Sequence, residues 1–299
     1  MHMLRITGLR KHFGDKEVLR GLDLAVPERS IFGFIGKNGA GKTTTMKIAL
    51  GLMRSDAGEV FVYDKKVAYG QTSTNKLIGY LPDVPEFYSF MTAREYLTLC
   101  GESLEMPKKD IVERSEELLT LVGLANENHR IKGYSRGMKQ RLGIAQALLH
   151  RPKLLICDEP TSALDPVGRK EILDILVCAK EQTTVLFSTH ILSDVERICT
   201  NVAFLNDGII AMQGSVEDLK NIGRAEEFII EAATPDGAML IAEKFDSAQL
   251  KDSSCVLFNG DEKRAFELLS FVSCEKIAIN KFERIEPTLE SLFMEVISK

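Results

Sequence analysis

The stretch GKNGAGKT, residues 36–43, constrains this chain more than any other. It matches the pattern G-x-x-x-x-G-K-[ST]. It follows the short apolar run IFGFI (31–35) and opens a helical pattern that runs to about Leu50, with Gly51 near its end. Glycines let a backbone wrap closely round an anion, and the N–H groups of the loop and of the helix start point at it. With ordinary residue frequencies, the four fixed positions would meet by chance in a chain this long on the order of once in a hundred. The strand–loop–helix context makes chance rarer still. Candidate phosphate contacts are Gly36, Lys37, Asn38, Gly39, Ala40, Gly41, Lys42, Thr43 and Thr44. Lys42 can reach the β- and γ-phosphates of a nucleotide, and the Thr43 hydroxyl can be placed on Mg²⁺.

LLICDEP, residues 154–160, supplies a second half to such a site. An apolar strand of a parallel sheet delivers its last residues to the carboxyl edge, where ligands bind. Asp158 is then placed to hold Mg²⁺, and Glu159 to polarise an attacking water as general base. Acidic pairs after strands also cap helices; the loop at 36–43 tips the choice toward catalysis. FSTH (187–190) repeats the geometry: a strand ends in Ser188 and Thr189, and His190 stands at the same edge as a γ-phosphate contact.

Short strands alternating with helices predict a mostly parallel sheet covered on both faces. The strands expected are 22–26, 31–35, 60–63, 77–81, 154–157, 184–188 and 202–205, with helices at 167–180 and 191–199. From about 86 to 150 the chain is rich in Glu, Lys and Leu at helical spacing, a helical insert. The pattern pauses at 221–223, and residues 225–299 read as a small α+β appendage. Its expected strands are 228–231, 255–258 and 276–279, with helices at 238–245, 263–271 and 288–297. The last helix of the insert opens oddly, on the polar knot KGYSRGMKQR (132–141), in which Ser135 can act as N-cap beside open backbone donors.

Other features exclude more than they assign. A net charge of −5 argues against sequence-independent nucleic-acid binding. The six cysteines are scattered, without CxxC or zinc-ligand spacing, and read as reduced buried thiols of a cytosolic protein. No signal peptide is visible, and no apolar run approaches the roughly 20 residues that span a bilayer. A membrane role must come through a partner.

In order and spacing, residues 3–222 resemble the nucleotide-binding subunit of an ABC transporter. Residues 36–43 resemble its Walker A loop and 154–159 its Walker B segment with the catalytic glutamate. Ser162, Ala163, Leu164 and Asp165 match the D-loop, and His190 matches the switch histidine. Phe13 stands where the family stacks an aromatic ring on adenine. YSRGM (134–138) resembles the LSGGQ signature, retaining Ser135 and Gly137 but departing at Tyr134, Arg136 and Met138. Asp83, in IGYLPD, falls where the family has the Q-loop glutamine; as a carboxylate it would either ligate Mg²⁺ through water or repel the γ-phosphate and contact nothing. The aromatic segment 84–92 reads either as core or as the border of the groove that receives a cytoplasmic helix of a permease.

The resemblance implies a P-loop NTPase: a RecA-like core with an antiparallel β subdomain and an inserted helical subdomain, followed by the small C-terminal domain. It implies ATP and Mg²⁺ as ligands and hydrolysis coupled to transport. It also implies a head-to-tail dimer in which Ser135 and Gly137 reach the nucleotide of a second copy, and a separate transmembrane permease. The chain would lie peripherally on the inner face of the cell membrane, in the cytoplasm. EPTLESLFMEV (286–296) resembles the tail motif of exporter ATPases, so export is expected, with an importer subunit as the alternative. Soluble ABC-type ATPases of DNA repair carry a long coiled coil, and those of translation carry two cassettes. This chain has neither feature, and a P-loop kinase would lack the signature element.

Overall fold

A long antiparallel hairpin opens the chain in the computed structural model, which describes residues 2–70, 73–222, 227–285 and 288–298. Its strands are β1 (His2–Phe13) and β2 (Lys16–Pro27). The apolar strand β3 (Ile31–Gly36), buried along its whole length, leads through the glycine loop into α1 (Lys42–Ala49). Two strands follow, β4 (Ala57–Val62) and β5 (Lys65–Lys66), which join the hairpin in a sheet ordered β2-β1-β4-β5. Sequence periodicity does not announce β1, although Met3, Leu4, Ile6 and Leu9 are buried. Irregularities in its pairing between Ile6 and Leu9 break the two-residue repeat that such reasoning relies on.

The strand β6 (Ile78–Leu81) precedes the helical insert, which holds α2 (Ala93–Ser103), α3 (Lys108–Leu121) and α4 (Arg136–Leu148). Helix α2 opens on a capping box. Thr92 Oγ1 accepts from Glu95 N at 3.3 Å, and Glu95 Oε2 accepts from Thr92 N at 2.8 Å. The alternation then resumes with β7 (Leu154–Asp158), α5 (Pro166–Ala179), β8 (Thr184–Thr189), α6 (Leu192–Ile198), β9 (Asn201–Asn206) and β10 (Ile209–Ser215). The central sheet runs β10-β9-β3-β8-β7-β6, parallel except at the β10 edge. The edge strand β10 has no fully buried residue, and apolar Ile209 and Ala211 hold its exposed positions beside the partly buried Ile210 and Met212, so its sequence shows no apolar–polar alternation. Phe32, Phe34, Ile156 and Leu186 point into one core with the apolar residues of α1 and of the antiparallel sheet. On the opposite face α5 and α6 cover β8 and β3, where Gly33 leaves room for Val195 and Cys199.

The chain divides into two compact units, one built from residues through Val216 and the other spanning Glu217–Glu295. Helix α7 (Val216–Ile222) runs across that point. The second unit has the order β11 (Glu227–Ala232), α8 (Pro235–Lys244), β12 (Ala248–Leu250), β13 (Cys255–Asn259), α9 (Glu262–Cys274), β14 (Ile279–Arg284), and α10 (Leu289–Ser298) begins within it. Its antiparallel sheet runs β12-β13-β11-β14, the split βαββαβ arrangement of ferredoxin-like folds. The last strand lies later than the expected 276–279. Helix α9 continues to Cys274, and a left-handed Lys276 (φ 51°) with Ile277 N donating to Val272 O at 2.9 Å closes it first. The boundary expected at 223–225, and Glu286 and Pro287 of the tail motif, lie outside the described residues.

Candidate active site

Parallel pairing sets the site. Register partners Phe34–Ser188, Ile35–Thr189 and Asp158–Ser188 bring the carboxyl ends of β3, β7 and β8 to one edge of the sheet. The glycine loop rises from that edge. Gly39 (φ +83°) and Gly41 (φ +112°) take backbone conformations that side chains rarely adopt. Among the described residues other than its chain neighbours, no heavy atom lies within 4 Å of where a Cβ of Gly39 would sit. Gly41 is the N-cap of α1 and offers no side chain to its orphan N–H groups, so these point into the open loop. Lys42, almost fully buried, spans the loop: Nζ donates to Gly36 O at 2.7 Å.

Beside the loop stands a chain of oxygen contacts. The Thr43 hydroxyl donates to Asp158 Oδ2 at 2.7 Å, and the Ser188 hydroxyl donates to Asp158 Oδ1 at 2.6 Å. Ser188 Oγ also accepts from Glu159 N at 3.0 Å. That bond steadies Glu159 in a left-handed conformation (φ 46°) that turns its side chain out of the strand direction. The Glu159 carboxylate lies between two basic side chains: Oε2 is 2.9 Å from His190 Nδ1, and Oε1 is 3.0 Å from the Lys42 ammonium in an ion pair. Tyr80, on β6 near these carboxylates, has its phenol pushed up to about 12, chiefly by burial and then by the charges of Asp158, Cys157 and Asp83.

A cleft of about 470 Å³ is lined by Val18, Asn38, Gly39, Gly41, Lys42, Thr43, Thr44, Asp83, Asp158 and Glu159. His190 joins it through Glu159. The other expected residues lie elsewhere. Phe13 is half exposed near the hairpin turn, with Lys11 Nζ 5.6 Å from its ring centroid; Val18 on β2 is the apolar wall of the cleft. Ser135 caps α4, accepting from Met138 N at 3.1 Å, and Asp165 caps α5, accepting from Gly168 N at 3.1 Å. Neither they nor Gly137 line the cleft.

Hard oxygen donors, one hydroxyl and one carboxylate 2.7 Å apart, suit a Mg²⁺ that takes its remaining ligands from phosphates and water. Among the described residues no cluster of three or more His, Cys, Asp or Glu could form an all-protein cage.

Three contributors escaped the sequence reading. Ser188 was legible only as a polar residue at a strand end. Thr161 and Asp194 form a buried pair, the Thr161 hydroxyl donating to Asp194 Oδ2 at 2.7 Å, and Arg169 donates to Oδ1 at 2.6 Å. This joins the loop after Glu159, the helix after His190 and α5, and nothing local in the sequence announces it. In the aromatic segment, Phe87 packs edge-on against Tyr96 with centroids 5.1 Å apart, whereas Val84, Tyr88 and Phe90 are exposed.

Glycine loop, oxygen-ligand pair, carboxylate base and parallel sheet together define a P-loop nucleotide triphosphatase. Residues 19–162 match the ABC transporter family, and residues 214–297 match the C-terminal domain of DrrA1-3-like ATP-binding proteins. The uncharacterised ABC transporter ATP-binding protein YxlF of Bacillus subtilis is 38% identical over 99% of both chains. The bacitracin transport ATP-binding protein BcrA of Bacillus licheniformis is 38% identical over 74% of this chain and 72% of its own. Among solved structures, the ATP-binding subunit of an ABC transporter superposes with a TM-score of 0.65 at 29% identity, over 74% of this chain and 92% of that one. The cbiO1 protein of Clostridium perfringens superposes with a TM-score of 0.66 at 25% identity, over 73% and 90%. The chain belongs to the family of ABC transporter ATP-binding proteins, ATPases that hydrolyse ATP to drive transport. No helix among the described residues is long and apolar enough to cross a membrane.

Proposed function

We propose that this chain powers a separate membrane-spanning permease in the exporting direction, working as one of two cassettes that close head to tail on ATP. Residues 1–222 form the ATP-binding domain in this reading, and 225–299 an accessory domain. The observation that carries it is that Thr43, bonded to Asp158, and Glu159 line the same cleft as the glycine loop.

The loop N–H groups from Gly39 to Thr44 and the Lys42 ammonium bind the phosphates. Thr43 and Asp158 would hold Mg²⁺, which when bound would supply charge neutralisation to the phosphates. Glu159, oriented by His190, takes the proton of the attacking water. Ser135 and Gly137, which do not line the cleft of their own chain, serve the partner cassette at its γ-phosphate. Phe13, at the turn beside β2, faces adenine, and Asp165 acts at the dimer seam. Export is favoured by two likenesses: the C-terminal match to DrrA1-3-like proteins and the relative named for bacitracin transport. Exposed Tyr88, which lines a groove with Tyr80, Tyr96 and Leu99, and exposed Phe90, its ring 5.9 Å from that of Tyr88, suit a permease's cytoplasmic helix.

The decisive experiment reconstitutes the chain with its permease in vesicles whose ATP-facing side is known. Mg-ATP added on the cassette side should drive a transported compound away from that side, and Lys42→Ala should abolish this. Movement toward the cassette side would make the chain an importer subunit.

A further inference from the structure

Two departures from the family's motifs meet in space. Asp83 stands where the family places glutamine, and Arg136 where the signature has glycine. The Ser162 hydroxyl donates to Asp83 Oδ1 at 2.6 Å. Arg136 Nη2 donates to Ser162 Oγ at 3.3 Å and lies 3.7 Å from Asp83 Oδ1. The main chain is clamped as well, since the buried Gln140 of α4 donates Nε2 to Asp83 O at 2.6 Å. Asp83 is therefore held to the first turns of α4 through both its side chain and its backbone.

Charge makes the pairing consequential. Asp83 lines the cleft together with Asp158 and Glu159, against Lys42 as the one lining cation among the described residues. A nucleoside triphosphate adds several negative charges to that wall. A third carboxylate facing it repels the ligand unless something neutralises it. Glutamine and glycine at these positions would raise no such problem and need no such partner. The two substitutions are complementary: one brings a negative charge to the cleft, the other a guanidinium to hold it.

We propose that Arg136 is a positioning residue for nucleotide binding within its own chain. It neutralises Asp83 and keeps the carboxylate on Ser162, turned from the phosphates. This rests on the reading that ATP occupies the cleft at the glycine loop. It differs from any role of the signature segment toward a second copy, because it acts in a monomer. Both side chains are about half exposed (47% and 48%), so the effect is modest and sensitive to salt.

The test is equilibrium binding of a fluorescent ATP analogue with Mg²⁺ to the full-length chain, dilute enough to remain monomeric. Arg136→Gly should weaken binding about two- to fivefold at low salt, the range of half-exposed ion pairs. The loss should shrink at high salt and be smaller for the ADP analogue. In an Asp83→Asn background the same Arg136→Gly change should have no effect. Arg136→Lys, which keeps the charge, should restore most of the affinity. Equal losses in both backgrounds, or no loss in either, would overturn the proposal while leaving the cleft reading intact. Lys42→Ala separates the two: if it retains full affinity, ATP lies elsewhere and both readings fail. Thermal unfolding of each variant shows whether a loss comes from binding or from the fold.

Discussion

His190 Nδ1 lies 2.9 Å from Glu159 Oε2, which fixes one oxygen of a carboxylate whose other oxygen stands 3.0 Å from Lys42 Nζ. A carboxylate gripped from both sides at the end of β7 has a defined direction, as a general base requires. Glu159→Gln keeps the size of the side chain and removes its basicity. Steady-state ATP hydrolysis should fall about 10²- to 10⁴-fold while Mg-ATP binding is retained. Size-exclusion chromatography with ATP should then show a trapped dimer. Hydrolysis at the native rate would place the base elsewhere.

Ser135 has two separable roles. Its hydroxyl caps α4 by accepting from Met138 N at 3.1 Å, and in the dimer it would face a phosphate. Ser135→Ala should cost about 1 kcal/mol of stability through the lost cap. Ser135→Asp should keep the cap, since aspartate is as good an N-cap, but set a negative charge against the partner's γ-phosphate. Melting temperature should therefore fall only in the alanine variant, while ATPase activity falls in both and further in the aspartate variant. Normal hydrolysis in Ser135→Asp would remove this position from the shared site.

The glycine loop was legible because its chemistry is local: eight consecutive residues carry the turn, the ammonium and the hydroxyl. Asp158 and Glu159 were legible because a strand and its end are contiguous. Ser188, Thr161 and Asp194 could be assigned only after topology, for β8 must lie between β3 and β7 before Ser188 can meet Asp158. Asp83 illustrates the same limit. Its replacement of glutamine was visible, but its partners Arg136 and Ser162 lie 53 and 79 positions away, and the pairing depends on α4 packing beside β6. The strands β1 and β10 escape periodicity for different reasons, one because bulges disturb its alternation and the other because its exposed positions, Ile209 and Ala211, are as apolar as its partly buried ones.

Asp194 should act on catalysis without touching nucleotide. It is buried, and accepts from Thr161 on the loop after Glu159 and from Arg169 on α5, while its own helix follows His190. Asp194→Ala strands the guanidinium and should cost about 3 kcal/mol, the lower end for a broken buried pair, because Arg169 keeps some water contact. Asp194→Asn retains one acceptor and should fold normally, yet loosen the Glu159–His190 geometry. Its kcat should drop with KM nearly unchanged. A rise in KM alone would mean that the network supports binding instead.

His150 gives the fold a pH dependence whose sign is fixed. Its Nε2 lies 3.2 Å from Ile78 O, which can only accept, so Nε2 carries the proton. Its Nδ1 is buried without a hydrogen-bond partner among the described residues. Burial pushes the imidazole below its ordinary value, against a smaller opposing effect of the Ile78 bond. A histidine whose pKa is lower folded than unfolded is held neutral by the fold, so the unfolded chain takes up the proton first. Its contribution to stability is complete above the unfolded pKa of about 6.5 and declines as pH falls below it. Urea unfolding midpoints measured from pH 7.5 down to 5.5 should therefore decrease. His150→Gln keeps a donor for Ile78 O but cannot titrate, and should flatten that decline. An identical decline in the variant would assign the pH dependence to other groups.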